Sequence, residues 1–272
     1  MSRPSHLWRH LVVPWCFRIT ELFDWIVGTS TGGVVALGLV YGDKSLLDLR
    51  QIYFEIKETV FEKAKLGYVC DSQAFEEILK RYLTPDKRMG DVRHPKVLIT
   101  AVDKSTTDLK LRLFNNCFSD EFSDDNLVWK VARYTSAAPP YFTECDNYVD
   151  GGILAHNPTE VALNKIEEYL RTNGGKVASL LSLGCGVFPP QSIGNVDMGT
   201  ANPLNFLGRM NNLVTVLTTA LTRAENVVEN CRARCDRGRT LFYRFNPQLD
   251  EQYGHYGSGL NLEANSGYCV IE

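Results

Sequence analysis

Residues 25–39 read WIVGTSTGGVVALGL, and within them the pentapeptide GTSTG at 28–32 fits the pattern G-x-S-x-G. In that pattern a strand ends, the chain turns sharply and a helix begins at once, so that the serine stands clear of the sheet. The flanks agree, because 25–27 is an apolar run that predicts a buried strand and 34–40 is an uncharged apolar run that predicts a helix. Ser30 is therefore a candidate nucleophile near a helix N-terminus, where unpaired N–H groups favour negative charge. The alternative is an ordinary Gly/Ser/Thr turn.

Length and composition place the chain among ordinary globular proteins. Its 272 residues suit one large α/β domain or two small ones, and 44% hydrophobic and 22% charged residues are typical values. The net charge of -3 argues against a nucleic-acid partner, since no basic excess could neutralise phosphates. No stretch reaches roughly 18 apolar residues, so any membrane contact is expected to be peripheral. Eight cysteines without paired spacing favour free thiols in a reducing compartment.

The rest of the sequence alternates helical and extended patterns. Helices are predicted over 46–61, 71–82, 126–138, 158–170 and 203–234, and strands over 95–103, 109–115, 147–149, 179–186 and 241–247. Asp71-Ser72 offers an N-cap for the second of these helices. Strands that alternate with helices indicate an α/β protein with a largely parallel sheet, and a single domain is the simplest interpretation.

A serine hydroxyl needs a base before it can act as a nucleophile. Asp150 follows a short predicted strand and precedes two glycines, so its carboxylate is expected at the edge of the sheet beside a tight turn. Of the five histidines, only His156 lies in a comparable context. The residues themselves leave two alternatives open: an Asp-Gly-Gly turn with no catalytic role, and a conventional Ser–His–Asp triad that uses His156.

Blocks that follow one another along the chain carry a resemblance to a known family. They are LFDWIVGTSTGG (22–33), TSAAPPYF (135–142), VDGGILAHNP (149–158), LLSLGCG (180–186) and RFNPQL (244–249). Together they resemble the patatin-like phospholipase family, and within it the catalytic domain of animal calcium-independent phospholipase A2 of the beta type. The resemblance implies a patatin-like three-layer α/β/α domain with a largely parallel central sheet.

The same resemblance implies a lipid acyl hydrolase that cleaves fatty-acyl esters of glycerophospholipids through an acyl-serine intermediate. Members of the family use a Ser–Asp dyad without histidine, so Ser30 is expected to be the nucleophile, Asp150 the general base and His156 a local structural residue. No cofactor and no metal ion is implied, and no Asp/Glu cluster in the sequence resembles a calcium loop. Thioesterase and lysophospholipase activities are weaker alternatives. The expected motif and oxyanion residues are Gly28, Thr31, Gly32, Gly33, Gly151 and Gly152.

The chain departs from the family near its two ends. The family has a glycine-rich D-G-G-G-x-x-G stretch on a first strand upstream of the serine, where its amides form the oxyanion hole, whereas residues 1–27 contain no glycine. We therefore expect an atypical N-terminal segment at 1–20, a patatin-like domain truncated at its N-terminus at 21–250, and a Gly/Tyr-rich tail at 251–272. A missing first strand is expected to leave neighbouring strand edges unpaired, unless Leu7–Phe17 partly fills the gap. The alternative function is thus a catalytically impaired fragment that binds a lipid or a partner.

The expected partner is the surface of a phospholipid membrane. Contact is expected to be peripheral and to use apolar surface such as Tyr141-Phe142 or the apolar residues of 46–61. No nucleic acid is expected, a homo-oligomer is left open, and calmodulin enters through the family resemblance only. The expected location is cytoplasmic with peripheral membrane association, and mitochondrial association is an alternative.

Overall fold

The computed structural model of the chain describes residues 18–61, 70–118, 120, 122, 124–139, 141–186, 222–247 and 268–271. Within these ranges the helices are α1 (Ile19–Leu22), α2 (Thr31–Val40), α3 (Leu46–Ile56), α4 (Ser72–Leu83), α5 (Val128–Thr135), α6 (Gly152–Ala155), α7 (Thr159–Asn173) and α8 (Thr222–Gly238). A π-helical turn at Lys57–Phe61 continues α3, and a 3-10 turn lies at Met89–Asp91. The strands are β1 (Trp25–Gly28), β2 (Lys96–Asp103), β3 (Lys110–Asn115), β4 (Tyr148–Asp150), β5 (Ser179–Leu183), β6 (Leu241–Phe245) and β7 (Tyr268–Ile271).

Capping side chains explain where two of these helices begin. The Asp71 carboxylate accepts hydrogen bonds from the N–H groups of Gln73 and Ala74, each at 3.0 Å, which confirms it as the N-cap of α4. Ser45 and Asp48 form a capping box at the start of α3. The predicted helices and strands are present, with ends that differ by a few residues. The part of the predicted helix 203–234 that precedes Thr222 lies outside the described residues.

The seven described strands form one mixed sheet in the order β3-β2-β1-β7-β5-β6, and β4 also pairs with β2. Strand β1 runs parallel to β2, and β5 runs parallel to β6. The remaining pairs are antiparallel. Because β7 is antiparallel to both β1 and β5, strands β1, β2, β5 and β6 all run in one direction. Their carboxyl ends therefore share one edge of the sheet, and that edge carries Ser30.

Helices cover both faces of this sheet. Ile26 on β1 packs into a hydrophobic cluster with residues of α2, α3, α4 and α5. Its neighbours Trp25 and Val27 pack into a second cluster with residues of α7 and α8. Successive side chains of a strand point to opposite faces, so β1 contributes to two separate cores. The expected three-layer α/β/α architecture is confirmed.

The centre of the sheet differs from the expectation of unpaired strand edges. Strand β7 lies between β1 and β5, with Gly28 opposite Tyr268 and Trp25 opposite Ile271. Its other edge pairs with Leu180–Leu183 of β5. The expectation is wrong because four residues of the region assigned to the 251–272 tail enter the sheet and supply the backbone partners of both neighbours. The other proposed filler, Leu7–Phe17, lies outside the described residues.

Two further expectations concern membrane spans and thiols. Within the described ranges, no helix combines the length and the apolar character needed to cross a membrane. The cysteines that the structure describes are free, as their spacing predicted: Cys70, Cys117, Cys145, Cys185, Cys231 and Cys235.

Candidate active site

Ser30 occupies a strained turn between β1 and α2. Its φ of 55° and ψ of -129° lie in a region that residues with a side chain rarely adopt. The turn is so tight that a Cβ at Gly28 would overlap the backbone of Gly32. A Cβ at Gly33 would lie 2.7 Å from Cγ2 of Thr135. The glycines of the motif therefore allow the close backbone approach that lifts the Ser30 side chain above the end of the sheet.

The Ser30 hydroxyl donates a hydrogen bond to Oδ2 of Asp150 at 2.6 Å. The second carboxylate oxygen, Oδ1, accepts the backbone N–H of Gly152, also at 2.6 Å. Gly151 lies so close to Thr100 that a Cβ would overlap that residue, which keeps the turn after Asp150 tight. The structure thus brings the predicted nucleophile and the predicted base into direct contact.

Strand β2 is the element that aligns these two residues. Its first half pairs with β1, where Gly28 lies opposite Ile99, and its second half pairs with β4, where Asp150 lies opposite Ala101. The two segments therefore end two positions apart along one strand, or about 7 Å at roughly 3.3 Å per residue. A sharp turn after Gly28 covers that separation and places the Ser30 side chain against the carboxylate.

Buried threonine hydroxyls connect the two loops that carry the dyad. Oγ1 of Thr29 lies 2.7 Å from Oγ1 of Thr100, and the Thr29 hydroxyl donates to the carbonyl oxygen of Ala155 at 3.0 Å. A hydroxyl has one hydrogen, so Thr100 is the donor in its contact with Thr29. Ala155 is the last residue of α6, which begins two residues after Asp150. The serine turn, β2 and the loop after Asp150 are thereby joined.

Burial changes the acidity of Asp150, of which only 5% is exposed. The loss of water around the carboxylate raises the pKa of Asp150 to about 6, while hydrogen bonds from Ser30 and Gly152 oppose that rise. A carboxylate with this pKa is ionised at neutral pH yet holds a proton more strongly than an ordinary aspartate does. It is therefore suited to take the Ser30 proton and to return it later in a reaction.

The first amides of α2 lie where negative charge would develop beside Ser30. The N–H of Ser30 itself donates to Oγ1 of Thr135 at 2.8 Å, so it is already engaged. No side-chain cap from Ser30 satisfies the start of the helix. The N–H of Thr31, with Gly32 next to it in the first turn, stays the expected donor to an oxyanion.

His156 is half-buried close to this site, with Nδ1 3.8 Å from where a Cβ on Gly152 would lie, but it does not join the dyad. The hydrogen bonds that the described residues make to the side chains of Ser30 and Asp150 do not include it. Burial, and secondarily the positive charge of Arg244, lower the pKa of His156 to about 4. The imidazole is therefore neutral at physiological pH. A direct Ser–Asp contact leaves no place for a histidine between nucleophile and carboxylate.

The described residues contain no group of three or more His, Cys, Asp or Glu side chains that is arranged to hold a metal ion. The predicted nucleophile and the predicted base, Ser30 and Asp150, are in direct hydrogen-bond contact. Independence from metal stays a prediction for the chain.

Comparison with known proteins places the chain in a family. The family model described as patatin-like phospholipase matches residues 7–163. The chain is also 34% identical, over 92% of its length, to the 85/88 kDa calcium-independent phospholipase A2 of Rattus norvegicus. The chain belongs to the patatin-like phospholipase family.

Two further relatives are less similar, and each match covers only part of a longer protein. The patatin-like chain is 27% identical to intracellular phospholipase A2 of Caenorhabditis elegans over 86% of its length, which is 23% of that protein. It is 29% identical to the cGAMP-activated phospholipase of Vibrio cholerae over 62% of its length and 54% of the relative. For the rat enzyme the matched share is 34%. The chain therefore spans about a third of the length of the 85/88 kDa enzymes of Rattus norvegicus and Mus musculus.

Sequence reasoning missed the residues of this patatin-like domain that hold the backbone around the dyad. Thr135 and Thr100 are fully buried and touch the serine turn directly or through Thr29. Thr135 heads the block at 135–142, so its sequence context was a signal. Its contact was hidden, because 105 residues separate it from Ser30.

Proposed function

We propose that this patatin-like chain is a lipid acyl hydrolase of the calcium-independent phospholipase A2 type, which cleaves fatty-acyl esters of glycerophospholipids. The observation that carries the proposal is the 2.6 Å hydrogen bond from the Ser30 hydroxyl to the buried carboxylate of Asp150. Hydrolases of the same family, at 34% identity in the rat enzyme, support the substrate class.

In the first half of the proposed reaction, Asp150 removes the hydroxyl proton as Ser30 Oγ attacks the ester carbonyl. The carbonyl oxygen becomes an oxyanion beside the N–H of Thr31. The tetrahedral species then collapses, the bond to the alcohol oxygen breaks, and Asp150 returns the proton to that oxygen. A lysophospholipid leaves, and the fatty acid stays bound to Ser30 as an ester.

In the second half, Asp150 is again a free carboxylate and activates water. It takes one proton as the water oxygen attacks the acyl carbonyl, and it gives that proton to Ser30 Oγ when the acyl–serine bond breaks. The fatty acid leaves and both residues return to their initial states. The raised pKa of Asp150, about 6, suits a group that accepts and donates a proton in each half.

A second candidate function is a catalytically impaired module that binds lipid or a partner. The observation that favours it is the lack of glycine in residues 1–27, where the family has its oxyanion-hole stretch. Removal of one oxyanion donor costs roughly 100- to 1000-fold in rate. The hydrolase and the impaired module therefore differ in rate. The contact between Ser30 and Asp150 predicts that Ser30 reacts, and the number of oxyanion donors determines how fast it does so.

Contact with a membrane is proposed to be peripheral and to centre on Leu154. This residue is 48% exposed and follows Asp150 by four positions, so it lies at the dyad edge of the sheet. Of the residues expected to contact lipid, Phe142 is buried and stacks on Phe75, which makes it core. Leu46 and Leu47 are exposed, but they follow the end of α2 that is far from Ser30. This helix has ten residues and is about 15 Å long, so these leucines lie away from the dyad. Self-association and calmodulin binding stay predictions.

The decisive experiment measures fatty acid released from phosphatidylcholine vesicles whose two acyl chains differ, with mass-spectrometric detection and with or without a chelator. The proposal expects release that is lost in Ser30→Ala and unchanged by the chelator. A fluorophosphonate probe, which reacts with activated serines, should label the wild-type chain and not Ser30→Ala. Labelling without release would favour the impaired module, and neither labelling nor release would refute the hydrolase. An absolute need for calcium would refute the calcium-independent class.

Membrane contact is tested by sedimentation of Leu154→Ser with phosphatidylcholine vesicles. Removing a half-exposed leucine from a lipid interface costs about 1 kcal/mol, or about fivefold in affinity. Leu47→Ser is the matched control, because Leu47 is 62% exposed but lies at the other end of α2. Binding that high salt abolishes, or that Leu47→Ser weakens as much as Leu154→Ser does, would contradict this assignment.

A further inference from the structure

The C-terminal end of α5 contacts the backbone of both dyad residues. Oγ1 of Thr135 accepts the N–H of Ser30 at 2.8 Å. Two residues later, the carbonyl oxygen of Ala137 accepts the N–H of Asp150 at 3.1 Å. One short segment, 135–137, therefore holds a nucleophile and a base that come from distant parts of the chain.

The contact with Ser30 falls on the most strained position of the turn. A serine at a φ of 55° persists only where the surroundings determine its conformation. The hydrogen bond to Thr135 is such a restraint, because rotation of the Ser30 backbone to a relaxed conformation would turn its N–H away from Oγ1. The direction of the Ser30 side chain, and hence its alignment with Oδ2 of Asp150, depends on the same backbone.

The methyl group of Thr135 contributes to the packing around the serine turn, in addition to the hydroxyl. Thr135 is fully buried, and a Cβ added to Gly33 would lie 2.7 Å from its Cγ2 and 3.1 Å from its Oγ1. The first turn of α2 thus rests directly on this threonine. Its methyl group supports the helix while its oxygen holds the amide of Ser30.

We propose that Thr135 is a positioning residue for the dyad: its Oγ1 fixes the Ser30 backbone so that the hydroxyl of Ser30 points at Asp150. Ala137 sets the position of Asp150, so the segment 135–137 at the end of α5 provides one frame for both groups. The structural part of this proposal, a restrained Ser30 amide, stands without an assigned activity. The catalytic part rests on the proposed function.

The test compares Thr135→Val, which keeps the shape and removes the acceptor, with Thr135→Ser, which keeps the acceptor. Thr159→Val is the matched control, because Thr159 is also fully buried and its hydroxyl bonds Asn157 and Ser182 instead of the dyad. We expect Thr135→Val to lower kcat by about 10- to 100-fold with little change in KM, as a misaligned nucleophile does. Thr135→Ser should retain most of the rate. Thr159→Val should lower Tm and leave kcat unchanged.

A second measurement, exchange of the Ser30 amide hydrogen by NMR of serine-labelled protein, is independent of activity. Exchange should be slow in the wild type and in Thr135→Ser, and faster in Thr135→Val. Equal exchange in all three would overturn the proposal, even if the chain hydrolyses nothing. Equal kcat in Thr135→Val and the wild type would overturn its catalytic part. If Thr135→Val does not fold, Thr135→Ala against Thr135→Ser isolates the hydroxyl, because both lack Cγ2.

Discussion

Ser30 Oγ lies 2.6 Å from Oδ2 of Asp150 although 120 residues separate the two in the chain. The contact arises because β2 pairs with β1 along one half and with β4 along the other, so that both loops end at the same place. The dyad is therefore a product of strand register. A shift of β4 by one residue would turn the Asp150 side chain to the other face of the sheet.

Ser30 and Asp150 are expected to act as one unit. Ser30→Ala should reduce the rate of fatty-acid release by at least about 1000-fold, and Asp150→Asn by about 100- to 10,000-fold, because the nucleophile loses its base. The double variant should be no slower than the slower single variant. Rates from vesicle assays, with circular dichroism to confirm folding, decide this. Strong activity in Asp150→Asn would eliminate the dyad.

The rate should depend on pH through Asp150. The carboxylate must be ionised to accept the Ser30 proton, so kcat/KM should rise with pH and level off above an apparent pKa of about 6. His156, whose pKa is lowered to about 4, does not titrate in that range. A pH profile measured on a soluble ester avoids effects of pH on vesicles. A profile that is flat between pH 5 and pH 7, roughly one unit either side of this value, would contradict the assignment.

Asp150→Asn should stabilise the fold at neutral pH while it abolishes activity. The pKa of Asp150 is raised from 3.8 to about 6 on folding. The contribution of this residue to the free energy of unfolding is therefore fully present below about pH 4 and is lost as pH rises through 6. This shift in pKa corresponds to about 3 kcal/mol of stability that the wild type loses when Asp150 ionises. The side chain of the asparagine variant stays neutral, so the variant does not lose it. Urea unfolding at several pH values should show a gain for the variant at pH near 8 that disappears at pH near 4. An equal effect at both pH values would show that ionisation is not the cause.

His156→Gln is expected to leave the rate of hydrolysis within about threefold of the wild type, because the imidazole makes no described hydrogen bond to the dyad side chains. Its effect should be on acid stability. The pKa of His156 is lowered to about 4 on folding, so its contribution to stability is present above pH 6.5 and is lost as pH falls through 4. Glutamine does not titrate, so the variant should not lose stability in this range for that reason. Loss of activity in a variant that folds normally would instead support a Ser–His–Asp triad.

Val270→Pro should weaken the whole domain. Val270 lies in the middle of β7, opposite Ile26 on one side and Leu181 on the other. Proline removes a ladder donor and is poorly tolerated in a central strand, and each unpaired buried group costs about 1–3 kcal/mol. The expected result is a lower Tm with reduced activity. Val270→Ala keeps the backbone N–H and should lower Tm by less than the proline variant does. Equal stability of the proline variant and the wild type would exclude β7 from the centre of the sheet.

Local sequence predicted much of this site, and pairing over long distances explains what it missed. The turn at Ser30 was predicted from two glycines and an apolar flank, and Asp150 was a candidate because a predicted strand ends there and two glycines follow. Family resemblance then joined the two as a dyad. The roles of Thr135 and Thr100 depend on which strands and helices meet, which no local pattern encodes. The same limit explains β7, since four residues in a Gly/Tyr-rich region gave no signal that they complete a sheet between β1 and β5.

The position of β7 also bears on how the chain is made. Strands β1 to β4 and strands β5 to β6 can each pair as soon as they have been synthesised, but the strand that joins these two halves is the last described one to leave the ribosome. Until Tyr268–Ile271 emerges, the facing edges of β1 and β5 stay open to pairing with strands of other nascent chains. Synthesis thus includes an interval in which one sheet exists as two half-sheets with open edges.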